Sequence, residues 1–234
     1  MKRLFCVMAV SVAVFFITAV VLCVGVLALP RTVSAVEDTI RIVLDAGHGG
    51  IDGGVTGKET KAKESDINLA ITYKLKDALE GLGFEIVLTR KTEGGLYGTA
   101  TKGFKKRDMQ KRREIIEEVK PSMVISLHQN FYPTKNTRGG QVFYDKKNAG
   151  GERLALLLQK EINILYVKEG ARARNAASAE FYMLQCSDCP SVLVECGFLS
   201  NRQDEALLTS EAWQKTFADT LAAGVMGYFS DFAA

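Results

Sequence analysis

Cysteine is scarce in this chain of 234 residues outside its apolar N-terminal stretch, and this scarcity excludes two kinds of cysteine site. Of the five cysteines, only Cys186, Cys189 and Cys196 lie beyond the apolar N-terminal stretch. A single C-x-x-C spacing excludes a zinc site built from two such pairs, and Cys186–Cys189 lacks the strand-then-helix context of a thioredoxin motif. We expect free or partly buried thiols, with a Cys186–Cys189 disulfide as the alternative in an oxidising compartment.

An excess of charge is also missing once the N-terminal stretch is set aside. The formal net charge of +3 is due to three basic residues near the N-terminus, Lys2, Arg3 and Arg31. Residues 36–234 carry 27 basic and 27 acidic side chains, a balance that argues against nucleic-acid binding. The locally basic segment 102–113 is interpreted as a solvated loop and helix face, with contact to an anionic wall polymer or lipid headgroups as the alternative.

Charged residues are absent from Leu4 to Leu29, and this run is long enough to span a bilayer. The preceding Lys2-Arg3 favours a cytoplasmic N-terminus and export of the rest of the chain. Val33-Ser34-Ala35 is similar to a signal-peptidase site. Residues 1–35 are therefore predicted to be a signal peptide or a retained membrane anchor, and the functional part is predicted to lie outside the cytoplasmic membrane.

Internal repeats, low-complexity tracts and signs of a second domain are missing as well, and residues 36–234 have the length of one domain. Apolar runs that suit buried strands alternate with amphipathic segments that suit helices. This pattern predicts a single three-layer α/β domain, with a mostly parallel or mixed twisted sheet flanked by helices. The predicted strands are 40–45, 84–88, 123–127, 140–144, 181–184 and 192–194. The predicted helices are one capped by Ser65 or Asp66 and ended by Gly81, then 107–119, 150–167, 204–208 and 212–232.

Each of the two histidines follows an apolar run that suits a buried strand. His48 lies in Asp45-Ala46-Gly47-His48-Gly49-Gly50, and His128 lies in Ser126-Leu127-His128-Gln129-Asn130. Sites in open α/β sheets form where strands end, so both imidazoles are expected to reach one cleft. A single histidine at such a place is more often structural, but the pair, together with the acidic residues described next, predicts a metal site.

A carboxylate or thiolate must supply the third ligand, because a catalytic zinc site uses three protein ligands and keeps one position for water. Glu64 is the best candidate, since it stands at the mouth of the connection that carries His48. The alternative is an ordinary acidic residue favoured near a helix N-terminus. Asp45 is predicted to orient the ring of His48 without binding the metal itself, and Asp52 is predicted to be a loop residue.

A second carboxylate, Glu195, ends the strongly apolar run 192–194. A buried carboxylate needs a strong partner or a raised pKa, and a metal-activated water is such a partner. Glu195 is therefore predicted to handle protons. The alternative is an ion pair with one of three arginines, Arg112, Arg172 or Arg174.

Four motifs in this order resemble the zinc-dependent N-acetylmuramoyl-L-alanine amidases of bacterial cell walls, the family called amidase 3. They are Asp45–Gly50, Glu64 with Ile67-Asn68-Leu69, Ser126–Asn130 and Val194–Asn201. Arg112, Phe181–Leu184 and Pro190 match further family positions. The resemblance covers about residues 40–230. It implies zinc ligands at His48, Glu64 and His128 and a catalytic carboxylate at Glu195.

The same resemblance implies hydrolysis of the amide bond between N-acetylmuramic acid and L-alanine in peptidoglycan. One catalytic domain behind a hydrophobic leader is most similar to the germination-specific amidases of the spore cortex, whose activity precedes muramic lactam formation. It implies location in the cell wall or the spore intermembrane space, and it leaves room for an activating protein partner. The residues alone support only a zinc hydrolase, so another exported zinc peptidase or deacetylase and a non-catalytic wall-binding module stay open.

Overall fold

The computed structural model describes residues 39–134 and 136–230. The predicted leader, residues 1–35, lies outside this part, so its nature stays a prediction. Within the described ranges, no helix is long and apolar enough to cross a membrane.

The described residues form six strands, β1 Arg41–Ala46, β2 Glu85–Leu88, β3 Met123–Asn130, β4 Gln141–Tyr144, β5 Ala177–Ser178 and β6 Ser191–Phe198. They also form five α-helices, α1 Glu64–Glu80, α2 Phe104–Val119, α3 Ala149–Lys168, α4 Arg202–Leu208 and α5 Glu211–Ser230. The strands build one sheet in the order β2-β1-β3-β6-β4-β5. β2, β1, β3 and β6 are mutually parallel, and β4 runs antiparallel to β6 and pairs with β5 in parallel. The predicted mixed α/β sheet is confirmed.

The two faces of the sheet bury different side chains, because successive residues of a strand point to opposite faces. Ile42 and Leu44 of β1 and Ile125 of β3 belong to the main core, which α1, α3 and α5 cover. Val43 and Val124, at the alternate positions, pack on the opposite face with Ile116 of α2. Three layers result, and the α2 side is the thinner cover.

Several predicted boundaries and one predicted element differ from the structure. Segment 181–184, predicted as a strand, forms instead a 3-10 turn at Tyr182–Gln185. A four-residue apolar run fits a strand or a turn equally well, and the turn buries Met183 and Leu184 in succession. α2 begins three residues before its predicted start at 107. The two-residue β5 has no sequence signal.

Candidate metal centre

The structure brings His48, Glu64 and His128 together, with their potential ligand atoms all within 4.8 Å of one another. Glu64 Oε1 lies 3.2 Å from His48 Nε2 and 3.0 Å from His128 Nδ1. The two imidazole rings meet edge to face at a centroid distance of 5.0 Å. Two imidazole nitrogens and one carboxylate oxygen that converge in this way form a donor set that suits zinc.

Strand register positions His128 and its neighbour Glu195. β3 and β6 are parallel, and His128 pairs directly with Glu195 across them. Residues in register point to the same face, here the face that α2 covers, and adjacent strands are about 4.8 Å apart. The sheet therefore fixes the spacing between the predicted ligand and the predicted proton-transfer carboxylate.

His48 lies in an irregular loop, where it adopts a left-handed backbone conformation with φ of 61°. Two buried arginines hold this loop by its carbonyl oxygens. Arg112 donates to the carbonyls of Ala46 at 2.7 Å and His48 at 2.6 Å, and Arg90 donates to those of Ala46 at 3.2 Å and Gly47 at 3.3 Å. Four such hydrogen bonds hold the backbone from the end of β1 to His48.

The glycine before His48 leaves room for the other histidine. A Cβ atom at Gly47 would stand 2.2 Å from Cε1 of His128, so the His128 ring packs directly against bare backbone. A Cβ atom at Gly54, which has a φ of +67°, would stand 2.3 Å from Glu64 Oε2. The glycines of this loop thus admit two of the three predicted ligands.

Glu64 is the first residue of α1, and its carboxylate is fully engaged. Oε2 accepts from the Val55 amide at 2.8 Å, and Oε1 accepts from the Gln129 amide at 3.0 Å. Burial opposes ionisation of Glu64, but its hydrogen bonds with His128 and His48 outweigh burial and hold its pKa far below the ordinary value. These hydrogen bonds therefore favour the ionised form of Glu64.

Glu195 has the opposite electrostatic character. Its Oε2 atom is buried and has no hydrogen-bond partner among the described residues. Burial raises the pKa of Glu195 to about 7; the His128 imidazole opposes this rise, and the nearby Glu64 carboxylate adds to it. Two carboxylates in one site thus differ strongly in proton affinity, a difference that suits separate roles.

The alternative considered for Glu195, an ion pair with Arg112, does not occur. Arg112 is buried and binds two other carboxylates, Asp108 at 2.7 Å and Asp45 at 2.5 Å. Arg174, another arginine considered for Glu195, donates instead to Gln141. The ionic contacts of Arg112 belong to the support of the His48 loop.

The predicted contact of Asp45 with His48 is wrong, whereas Asp52 lies in a loop as predicted and makes the contact that was expected of Asp45. Asp45 binds Thr89 and Ser126, each at 2.6 Å, besides Arg112. Burial opposes its ionisation, yet Arg112 and the two hydroxyl groups together lower the pKa of Asp45 to about 2. Asp52 is the residue behind His48, with its Oδ2 atom 3.2 Å from Nδ1. The i, i+4 spacing of His48 and Asp52 around two glycines is the signal that could have revealed it.

Two cavities flank the three predicted ligands. One of about 260 Å³ is lined by aromatic and apolar side chains that include Tyr97, Phe104, Met109 and Phe181. The other, of about 400 Å³, is lined by Asn130, Phe131 and Glu195 among others. Both reach His48 and His128, so a substrate bond at the ligands can extend to either side.

The cysteines outside the predicted leader take no part in the site. Cys186, Cys189 and Cys196 are free thiols, as predicted. Burial raises the pKa of Cys186 to about 11, which makes its thiolate form rare at neutral pH.

Comparison with known proteins places the chain among cell-wall enzymes. Residues 42–226 match the family described as N-acetylmuramoyl-L-alanine amidase. The chain is 32% identical over 193 residues to the germination-specific N-acetylmuramoyl-L-alanine amidase of Bacillus subtilis, covering 81% of this chain and 80% of that protein. It is 31% identical to the probable cell wall amidase LytH of Staphylococcus saprophyticus, covering 81% of this chain and 58% of that protein.

Among solved structures, the chain is similar to the CwlD amidase of Clostridioides difficile in complex with the GerS lipoprotein. The TM-score is 0.77 at 36% identity, over 82% of this chain and 99% of CwlD. The amidase AmiC2 of Nostoc punctiforme gives a TM-score of 0.69 at 30% identity, over 82% of this chain and 97% of AmiC2.

Proposed function

The chain belongs to the amidase 3 family and is an N-acetylmuramoyl-L-alanine amidase, and from this premise we propose that it hydrolyses peptidoglycan with a zinc ion held by His48, Glu64 and His128. The observation that carries the proposal is the convergence of three donor atoms within 4.8 Å. Their number matches a catalytic site, which keeps a coordination position open beyond three protein ligands. When bound, zinc supplies Lewis-acid polarisation of the scissile carbonyl and lowers the pKa of water.

Glu195 is the residue that moves the proton in this proposal. It takes a proton from the attacking water and passes it to the leaving amine of L-alanine, as a general base and then a general acid. A pKa near 7 suits both steps at neutral pH. Its register with His128 keeps the carboxylate beside the reacting bond.

We further propose that the substrate is spore-cortex peptidoglycan, and that peptide removal prepares muramic lactam formation. The likeness to a germination-specific amidase and to CwlD supports this assignment. It implies export of the domain across the cytoplasmic membrane, to the cell wall or the spore intermembrane space. CwlD was solved with a lipoprotein, which supports a protein partner for this chain as well.

Two variants of the full chain separate the proposed roles. Glu195→Gln keeps the shape of the side chain and removes its charge, so we expect zinc content and folding close to the parent and turnover lower by at least about 10²-fold. Glu64→Ala removes a ligand, so zinc affinity and activity should fall together. Metal analysis and release of peptides from purified peptidoglycan, with and without a chelator, measure both.

The products identify the reaction. An amidase creates new N-terminal alanine, whereas a deacetylase would release acetate, and a wall-binding module would release neither. Near-parent turnover of Glu195→Gln would show that the base lies elsewhere. Loss of zinc from Glu195→Gln combined with its retention by Glu64→Ala would show that the two roles are exchanged.

A further inference from the structure

Asp52 stands directly behind the ring of His48. Its Oδ2 atom is 3.2 Å from His48 Nδ1, on the side of the ring opposite Nε2, which faces Glu64 at 3.2 Å. Its Oδ1 atom is 3.2 Å from the Lys105 ammonium group. Each oxygen of the carboxylate therefore has its own partner. The partner of Oδ2 is Nδ1, the ring nitrogen of His48 that points away from the other predicted ligands.

The turn that carries Asp52 closes without help from this side chain. Backbone hydrogen bonds join Gly49 and Asp52 in both directions, at 2.8 Å and 3.2 Å, and Gly50 adopts the left-handed φ of 61° that the turn requires. The Gly50 amide is bound by the Glu93 carbonyl at 2.7 Å. The Asp52 carboxylate is thus not needed to close the turn, and its contacts are with His48 and Lys105.

We propose that Asp52 is a positioning residue that keeps the proton of His48 on Nδ1 and so commits Nε2 to the metal. The inference rests on the proposed zinc site. A carboxylate on the far nitrogen of a metal-binding imidazole fixes its tautomer and its ring orientation and increases its basicity as a ligand. Lys105 keeps the second oxygen occupied, which orients the carboxylate toward the ring.

Zinc affinity of the full chain is the first test, measured by competition with a chromophoric chelator. Asp52→Ala and Asp52→Leu both remove the acceptor while the backbone of the turn is kept, and each should weaken zinc binding by about 10- to 100-fold. Asp52→Asn keeps an acceptor oxygen of similar reach, so its affinity should fall between these variants and the parent. Asp77→Asn removes one charge from a side chain of α1 that is 77% exposed, and it should bind zinc like the parent.

The tautomer of His48 is the second test, and a chain with only two histidines suits it. In ¹⁵N-histidine spectra of the zinc-loaded parent, the signal that disappears in His48→Ala should show a proton on Nδ1 and a zinc shift on Nε2. In Asp52→Ala and Asp52→Leu, the Nδ1 proton should exchange faster, and both tautomers should appear when the metal is removed.

Two results would overturn the proposal. One is a folded Asp52→Ala or Asp52→Leu that binds zinc within about twofold of the parent and keeps the Nδ1 proton. The other is unfolding of both while Asp52→Asn stays folded, which would make Asp52 a structural residue. A parent chain without zinc affinity would instead refute the proposed function itself, so the two failures are distinguishable.

Discussion

His48 and His128 reach the same point from two different kinds of backbone. His128 lies on β3, where the register with β6 and the alternation of side chains set its direction. His48 lies in a glycine-rich loop with a left-handed backbone, where buried arginines hold the carbonyls and Asp52 contacts the ring. A ligand on a strand needs little beyond the sheet, whereas a ligand on a loop needs a dedicated set of polar contacts.

The loop side also contains a cluster of buried charges, which includes Arg90, Arg112, Asp45 and Asp108. Arg112 is 1% exposed and binds Asp45, Asp108 and two carbonyl groups of the loop. Removal of one member of such a buried ionic cluster leaves the remaining charges buried and unpaired. The resulting loss of stability is larger than the net stabilisation that the intact cluster provides. Substitutions on the loop side are therefore expected to lower the stability of the chain more than substitutions on the strand side.

Arg112→Ala should have the largest effect on the loop side. It leaves Asp45 and Asp108 without their partner, and we expect a loss of about 3–5 kcal/mol in the free energy of unfolding. Zinc affinity should fall because His48 loses the contact that holds its backbone. Lys111→Ala, at an exposed position of the same helix, should change stability by less than about 0.5 kcal/mol. Denaturant titration measures both, and similar stabilities of the two variants would contradict the assignment.

Gly47→Ala tests how closely the two sides depend on each other. The added Cβ would meet the His128 ring at 2.2 Å, so a change on the loop should displace the histidine of the strand. We expect about 3 kcal/mol of destabilisation, and weaker zinc binding. Gly227→Ala lies in α5 with nothing within 4 Å, and it should stabilise the chain by about 0.5–1 kcal/mol. Equal thermal unfolding of the two variants would refute the close approach.

Acid should loosen the loop side through Asp45, with the smallest effect of the three. The folded-state pKa of Asp45 is lowered to about 2, below its unfolded value, so its stabilisation is present above about pH 4 and is lost as the pH falls through about 2. The contribution is about 2 kcal/mol. Asp45→Asn lacks it already, so the stability of this variant should fall less steeply over that interval. Parallel pH curves would argue against the Arg112–Asp45 contact.

The sequence predicts the strand side better than the loop side, for a physical reason. An apolar run predicts a strand, and the alternation of side chains along the strand sets the direction of the residue at its end. The sequence could therefore predict the mixed sheet and the positions of His128 and Glu195. Zinc binding by the three predicted ligands stays a prediction. Asp45 was assigned to the wrong partner, and the contact of Asp52 with His48 was missed, because contacts across a loop depend on backbone angles that residue types do not specify.

Short apolar runs are the other weak point. Residues 181–184 suit a strand by composition, but the 3-10 turn that they enter lets Met183 reach the core beneath α2. The choice depends on the space left by neighbouring elements, which only the assembled fold defines. The two residues of β5 are too few to leave any pattern at all.

The position of β6 has a consequence for the order in which the site is assembled. β6 is the last strand in the chain, yet it lies between β3 and β4 at the centre of the sheet. His48, Glu64 and His128 all precede it by more than sixty residues of sequence, counted to the start of the strand at Ser191. In folding that follows synthesis, the proposed metal ligands therefore emerge first, and the proposed proton carrier arrives only when the final strand inserts. In this proposal, hydrolytic competence comes after the metal ligands are present and depends on insertion of the last strand.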